Sequence, residues 1–357
     1  MPRRGSTHRL LRWLWTSRRL DARLARLSLL PAAGLWRTAT RVRDAAFARG
    51  WRSADSFPLP WVRVGNLTVG DSGRTPVLLW MARHFTAQGL RPGILVRPRA
   101  PFRELAFRHA VPDALLRAGT DSVAAVEELA AGGADIVLLD DAGAVRGGRG
   151  CVVAVLGAET SRAVRWPLPA GPWREGWDSL AATDLVIITR KRAPLEAAEA
   201  LAAELGSHTD APVAIAHLGL RHLEGLVSGS ERPASALAGR RVVAASGSAD
   251  PDAFVAQVKA SGAAVQVHRW HADGDLRDED VAWLAHATRR ADYVVVSEQD
   301  AVKLRDRWPA RVAEPLVAVL DLTWEANGDA VVTTLDGVTA VPDDIHREGR
   351  STASENP

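Results

Sequence analysis

The sequence predicts a doubly wound α/β protein, and three patterns predict it. Apolar runs of four to six residues recur through the 357-residue chain, most of them without polar alternation. Strands buried on both faces of a parallel sheet read this way, because neither face meets water. Helix-forming segments lie between the runs, so strand and helix alternate as in βαβ units. One strand-to-helix connection, Val64 to Pro76, is rich in glycine. Glycine there lets backbone amides approach a bound anion at the helix N-terminus.

The chain begins with an arm. Residues 1–63 hold fourteen arginines and three aspartates, a local excess of eleven positive charges in a chain whose net charge is +3. Trp13, Trp15, Leu20, Leu24, Leu27, Leu29, Leu30, Leu35 and Trp36 interleave with those arginines at roughly helical spacing. That mixture is the composition of an interfacial helix on an anionic membrane. Residues 1–55 are therefore assigned to a basic amphipathic arm. No apolar run reaches the ~18 residues a spanning helix needs, and arginines interrupt any signal-peptide core. The basic charge is confined to the arm, so no nucleic-acid partner is expected. The single cysteine, Cys151, lies in an apolar run, which predicts a buried thiol and excludes a disulfide within the chain.

The strand candidates that follow are 61–64, 93–96, 135–139, 151–156, 185–189, 213–216, 242–245, 264–267, 293–296 and 316–320. Helices are expected over 76–85, 122–131, 194–205, 252–261 and 278–289. The last opens on Asp278-Glu279-Asp280, an acidic run suited to a helix N-terminus. Residues 228–233 are polar and turn-rich. They mark a break between a first unit, 56–225, and a smaller second α/β unit, 226–341. The polar tail, 342–357, reads as disordered.

The glycine loop carries the candidate chemistry. Strand 61–64 leads into Gly65-Asn66-Leu67-Thr68-Val69-Gly70-Asp71-Ser72-Gly73-Arg74-Thr75-Pro76 and then a helix. Gly70, Ser72, Gly73, Arg74 and Thr75 form the expected phosphate site. Thr75 supplies a hydroxyl where a divalent cation would sit. Asp140 and Asp141 end an apolar run, on the same C-terminal sheet edge as the loop. Carboxylates there hold Mg²⁺ or its waters in phosphoryl-transfer sites.

The wording of this loop resembles the tetraacyldisaccharide 4'-kinase family, whose loop reads G-N-L-[TS]-V-G-G-[TS]-G-K-T-P. Three further segments resemble the family in order: Ala134 to Asp141, Leu168-Pro169-Ala170-Gly171-Pro172-Trp173-Arg174-Glu175, and Ser297-Glu298-Gln299-Asp300-Ala301-Val302-Lys303. The resemblance implies two α/β/α Rossmann-like domains of the P-loop NTPase type, joined by a short β-linker with the site in the cleft. It implies ATP and Mg²⁺ as cofactors. The implied reaction transfers the γ-phosphate to the 4'-hydroxyl of a tetraacyldisaccharide 1-phosphate, a lipid A precursor. The implied location is the cytoplasmic face of the inner membrane, where the protein would be peripheral or monotopic on an anionic surface.

The chain departs from the family pattern where catalysis is expected. Arg74 stands at the loop lysine and Asp71 at a glycine, and the two are candidates to pair with each other. Counting back from 122–141 sets Phe102-Arg103-Glu104 against the family's G-D-E, so Arg103 takes the acid position and Glu104 keeps the glutamate. Counting back from Asp278 sets Ala272-Asp273-Gly274 against D-H-H, with His271 two places from the nearer histidine position. Gln299 replaces a lysine. The candidate catalytic groups are Glu104, Asp141 and His271. Two readings follow: a lipid kinase with a rebuilt active site, and a catalytically degenerate, membrane-associated relative with a structural or regulatory role.

Overall fold

The structure, a computed structural model, describes residues 10–11, 13–49, 56–69, 72–97, 104, 107–108, 110–140, 149–247, 251–269 and 276–340. Helix α1 (Leu20–Ala48) precedes strand β1 (Trp61–Asn66) and helix α2 (Arg74–Ala87). Then come β2 (Pro92–Val96), β3 (Leu115–Ala118), α3 (Ser122–Ala131), β4 (Ile136–Asp140), β5 (Gly150–Gly157), β6 (Leu185–Arg190), α4 (Leu195–Gly206) and β7 (Val213–Gly225). The remainder is β8 (Glu231–Pro233), β9 (Arg241–Ser246), α5 (Pro251–Ala260), β10 (Ala264–Arg269), α6 (Asp278–Ala287), β11 (Tyr293–Ser297), α7 (Glu298–Leu304), β12 (Leu316–Ala326) and α8 (Gly328–Thr339).

The strands form one sheet in the order β10-β9-β11-β12-β7-β6-β5-β1-β4-β2-β3, with β8 paired to β7. Pairing is parallel except where β7 meets β12 and β8. All ten expected strands are present. The half-exposed edge strand β3 and the short β8 lack the apolar runs that mark the others. Cys151 is buried, and burial, with Asp184 nearby, pushes its thiol up to about 12.

Two strands run well past their apolar stretches. β7 and β12 pair from Leu316↔Gly225 to Ala326↔Ile215, with Arg221 as an extra residue opposite the Val319/Leu320 step. This ribbon is the waist of the molecule. On one side β6 pairs with β7 as far as Arg190↔His217. On the other, β11 pairs with β12 as far as Ser297↔Ala318, and Ala318 opposes Leu223. Because β7 and β12 are antiparallel, the parallel strands of the two lobes run toward each other. Their C-terminal edges therefore face across the waist, about 20 Å apart for six residues of strand.

Each lobe has its own core. In the first, Val77, Leu78, Met81 and Phe85 of α2 pack on Val64, Val153, Ile187 and Ala216. In the second, Leu284 and Leu304 pack on Val243, Val294 and Val317. The chain does not end in the second lobe. β12 carries it back across the waist, and Val331, Leu335 and Val338 of α8 join the first core. Residues 328–339, which the sequence groups with the second unit, thus pack with the first.

Candidate active site

The glycine loop is built from both sides. Asn66 Oδ1 accepts from the Thr68 amide at 3.1 Å, which turns the chain as β1 ends. Val69 N–H donates to Pro172 O at 2.8 Å and Arg174 N–H to Leu67 O at 2.9 Å, so the 168–175 segment clamps the loop. On the far side Thr189 Oγ1, at the end of β6, donates to Ser72 O at 2.7 Å. Gly73 then takes φ of 73°, a left-handed turn, and caps α2 without a side chain. A Cβ there would meet Leu218 Cδ1 at 2.4 Å and Thr189 Oγ1 at 3.1 Å. The glycine is required both by its φ and by the close approach of β7. The open amides of the first turn of α2 face the C-terminal edge of the sheet, the geometry that receives an anion.

Arg74 is the first residue of α2, and Asp140 is the last of β4, opposite Val64 of β1. Arg74 Nε lies 2.7 Å from Asp140 Oδ1, with side chains 12% and 1% exposed. Arg74 therefore forms an ion pair with Asp140. Asp71, a candidate partner from sequence, lies outside the described residues. Beside this pair the buried Ser72 Oγ has no hydrogen-bond partner among the described residues. A buried hydroxyl without a partner costs free energy unless a ligand or water completes it. The strand-end Asp140 carboxylate, the Ser72 hydroxyl and Thr75, at the second helical position, are oxygen donors of the kind Mg²⁺ takes.

The structure thus brings Arg74 of the Ser72–Thr75 stretch against Asp140. Gly70, Asp141 and His271 lie outside the described residues. Glu104 is described, and it pairs with Arg108 at 3.0 Å, one helical turn away. Among the described residues no contact joins Glu104 to the glycine loop.

The opposite edge supplies charged groups, two of them from the Ser297–Lys303 segment. Asp300 is buried and accepts from Gly247 N at 3.0 Å and from Ser297 Oγ at 2.5 Å. Burial raises its pKa, with those donors opposing. Glu298, first in α7, is pushed up to about 7 by burial and by the Glu224 carboxylate, against Arg83 and the Leu320 amide. Arg83 of α2 and Arg221 of the bulge both reach Asp321, at 3.8 and 3.2 Å. These charged groups sit at the waist between the lobes. The signal for Glu298 was its place in the Ser297–Lys303 segment, but its shift depends on neighbours from three other elements. His222, Glu224 and Glu231 also cluster, with ligand atoms within 4.8 Å of one another. Within that group His222 Nε2 lies 2.9 Å from Glu224 Oε1.

The arm packs beside the loop clamp. Trp15 Nε1 donates to Pro169 O at 3.1 Å, and Trp36 Nε1 to Arg174 O at 3.0 Å. Ala22, Arg26 and Ala33 form the buried face of α1. Arg26 Nη1 donates to Leu14 O at 2.6 Å and Ser17 O at 2.9 Å, so this arginine serves the fold. The outward face is apolar: Leu20, Leu24, Leu27, Leu35 and Val42 follow one stripe, with Leu20 75% and Leu35 74% exposed. Among the described residues no helix is long and apolar enough to cross a membrane.

The sequence profile of the tetraacyldisaccharide-1-P 4'-kinase family, LpxK, matches residues 25–98 and 106–339. The tetraacyldisaccharide 4'-kinase of Aromatoleum aromaticum is 34% identical over 275 residues, which cover 71% of this chain and 78% of that one. That of Thiobacillus denitrificans is 32% identical over 308 residues, covering 78% and 87%. The crystal structure of LpxK from Aquifex aeolicus, in complex with ATP, matches 88% of this chain and 100% of its own with a TM-score of 0.67 at 17% identity, so the fold is shared. With a family profile spanning most of its length and relatives at this level of identity, the chain belongs to the tetraacyldisaccharide 4'-kinase family.

Proposed function

We propose that this protein is an ATP- and Mg²⁺-dependent kinase. It transfers the γ-phosphate to the 4'-hydroxyl of a tetraacyldisaccharide 1-phosphate. The observation that carries this reading is the buried Arg74–Asp140 pair beside the Ser72 hydroxyl at the mouth of a strand–glycine–helix loop. Phosphoryl transfer asks the protein mainly to position phosphates and offset their charge. The amides of the Gly70–Thr75 loop cradle the phosphates, and Arg74 supplies the cation next to them. Thr75 and Asp140, with Asp141, would hold Mg²⁺, which would offset the negative charge of the phosphates. The degenerate reading loses ground, because a chain released from nucleotide binding has no reason to keep a buried carboxylate and a left-handed glycine at this edge. The base that takes the 4'-hydroxyl proton is drawn from Asp141, Glu104 and His271.

The lipid acceptor requires a membrane surface, and the arm provides one. Arg23 and Arg41, both exposed, lie beside the outward stripe of α1, so acyl chains meet leucines while anionic headgroups meet guanidinium groups. We place the protein at the cytoplasmic face of the inner membrane, held peripherally. The phosphate site of the first lobe and the waist form the cleft where acceptor and ATP meet. The test is ATP-dependent phosphate incorporation into tetraacyldisaccharide 1-phosphate in detergent. The expected outcome is incorporation by the wild type and a loss of about 10²–10³-fold in Asp140→Ala. No incorporation by folded wild-type protein rejects the reading.

A further inference from the structure

We propose that Gln257 is a positioning residue through which the second lobe seats the phosphate loop. This rests on reading the glycine loop as the ATP site. Leu218 of β7 is the contact that both lobes share. On the first-lobe side its Cδ1 lies so close to Gly73 that a Cβ on the glycine would meet it at 2.4 Å. Thr189 Oγ1, from β6, completes that seat by donating to Ser72 O at 2.7 Å. On the second-lobe side Gln257 Nε2 donates to Leu218 O at 2.5 Å. Leu218 and Gln257 are both buried, so water does not replace this bond freely.

The position of this bond on β7 gives it its role. β6 pairs with β7 as far as His217, and β8 takes up only at His222. Leu218 lies between those pairings, just past the point where the parallel ladder of the first lobe stops. Gln257 belongs to α5, whose Phe254 and Val258 pack with Leu223, Val242 and Ala244 in the second lobe. A side chain of the second lobe thus grips the backbone of the residue whose own side chain supports the turn before α2. That turn has little freedom: Gly73 stands at φ of 73° with Leu218 and Thr189 against it. Leaving a buried amide or carbonyl unmet is costly, so Gln257 and Leu218 move together. A shift of α5 therefore reaches the amides that receive the phosphates through close-packed contacts. By linkage, ATP on the loop restrains α5 in return.

The experiment measures ATP binding to the full chain by calorimetry, and amide hydrogen exchange in α5 with and without ATP. Gln257→Met keeps the length of the side chain and removes the donor. It is expected to weaken ATP binding by about two- to thirtyfold and to abolish the slowing of exchange that ATP gives α5 in the wild type. Gln257→Asn leaves the amide one methylene short of Leu218 and carries the same test if the methionine variant does not fold. Val258→Ala opens a cavity in the same helix; it should lower the melting temperature and leave ATP affinity unchanged. Leu218→Ala should weaken ATP binding, and Gln257→Met should add little to that loss, because both break one chain of contacts. Three results overturn the seat and leave the kinase reading standing: wild-type ATP affinity in the folded Gln257 variants, fully additive losses in the double variant, or ATP affinity that follows melting temperature across all variants. Failure of the wild type to bind ATP at all overturns both.

Discussion

Gly73 and Glu159 hold opposite ends of the phosphate edge in place. Gly73→Ala adds a Cβ at 2.4 Å from Leu218 Cδ1 and demands φ of 73° from a residue that disfavours it. The strain is of the order of 1–3 kcal/mol, and the loop has to move to relieve it. The expected result is folded protein with a lowered melting temperature and sharply weaker ATP binding, read by calorimetry. Glu159 Oε1 accepts from the amides of Lys191, Arg192 and Ala193 at 2.8, 3.0 and 3.2 Å, fixing the turn after β6. Burial opposes its charge, but those donors win and hold its pKa below the usual value. Its contribution is therefore present above the unfolded pKa, ~4.3, and is lost as pH falls through the lower folded value. Glu159→Ala should cost about 1–3 kcal/mol at neutral pH. Denaturant titrations should show that difference shrinking in acid. The glycine was legible in sequence because its neighbours spell a phosphate loop. Glu159 was not, since its donors come from a segment 32 to 34 residues away.

At the scale of elements, α1 is the unusual one. A helix packed on a globular domain normally turns its polar face outward. Here the inward face holds Ala22, Arg26 and Ala33, and the outward face holds leucines. Replacing Leu24, Leu27 and Leu35 together by Glu removes that stripe without touching a buried residue. The triple variant should keep the wild-type melting temperature and lose sedimentation with anionic vesicles. Retained sedimentation would reject the arm as a membrane contact. The arm's tendency was visible in its Arg, Trp and Leu spacing. That it grips the 168–175 segment through Trp15 and Trp36 was not, because carbonyl acceptors leave no trace in side-chain identity. The same segment hydrogen-bonds the glycine loop, so arm and phosphate site are two contacts of one piece of chain.

For the whole molecule the waist is decisive. The β7–β12 ribbon sets two C-terminal edges face to face and gathers Arg83, Arg221, Glu224, Glu298 and Asp321 between the lobes. Glu298 has its pKa raised to about 7 there. A carboxyl raised on folding binds protons more tightly in the native state, so it favours folding below its unfolded pKa. That advantage disappears as pH rises through about 7. Glu298→Gln should therefore be more stable than the wild type above pH 7, by on the order of 1–3 kcal/mol, with a flatter profile between pH ~4.3 and 7. Equal pH profiles for the two proteins would reject the assigned environment.

The sequence by itself determined the alternation of strand and helix, the phosphate loop and the strand-end carboxylates. Each of these is written in local residue order: apolar runs, glycines at fixed offsets, an aspartate after a strand. The tertiary structure decided that Arg74 meets Asp140, how β7 and β12 cross the waist, and that α8 closes the first core. Those outcomes depend on contacts between distant residues. Arg74 and Asp140 are sixty-six positions apart and meet only because β4 lies beside β1 in the sheet. The order of strands is set by how the chain crosses over, and pairing between neighbours has no signature in either strand alone.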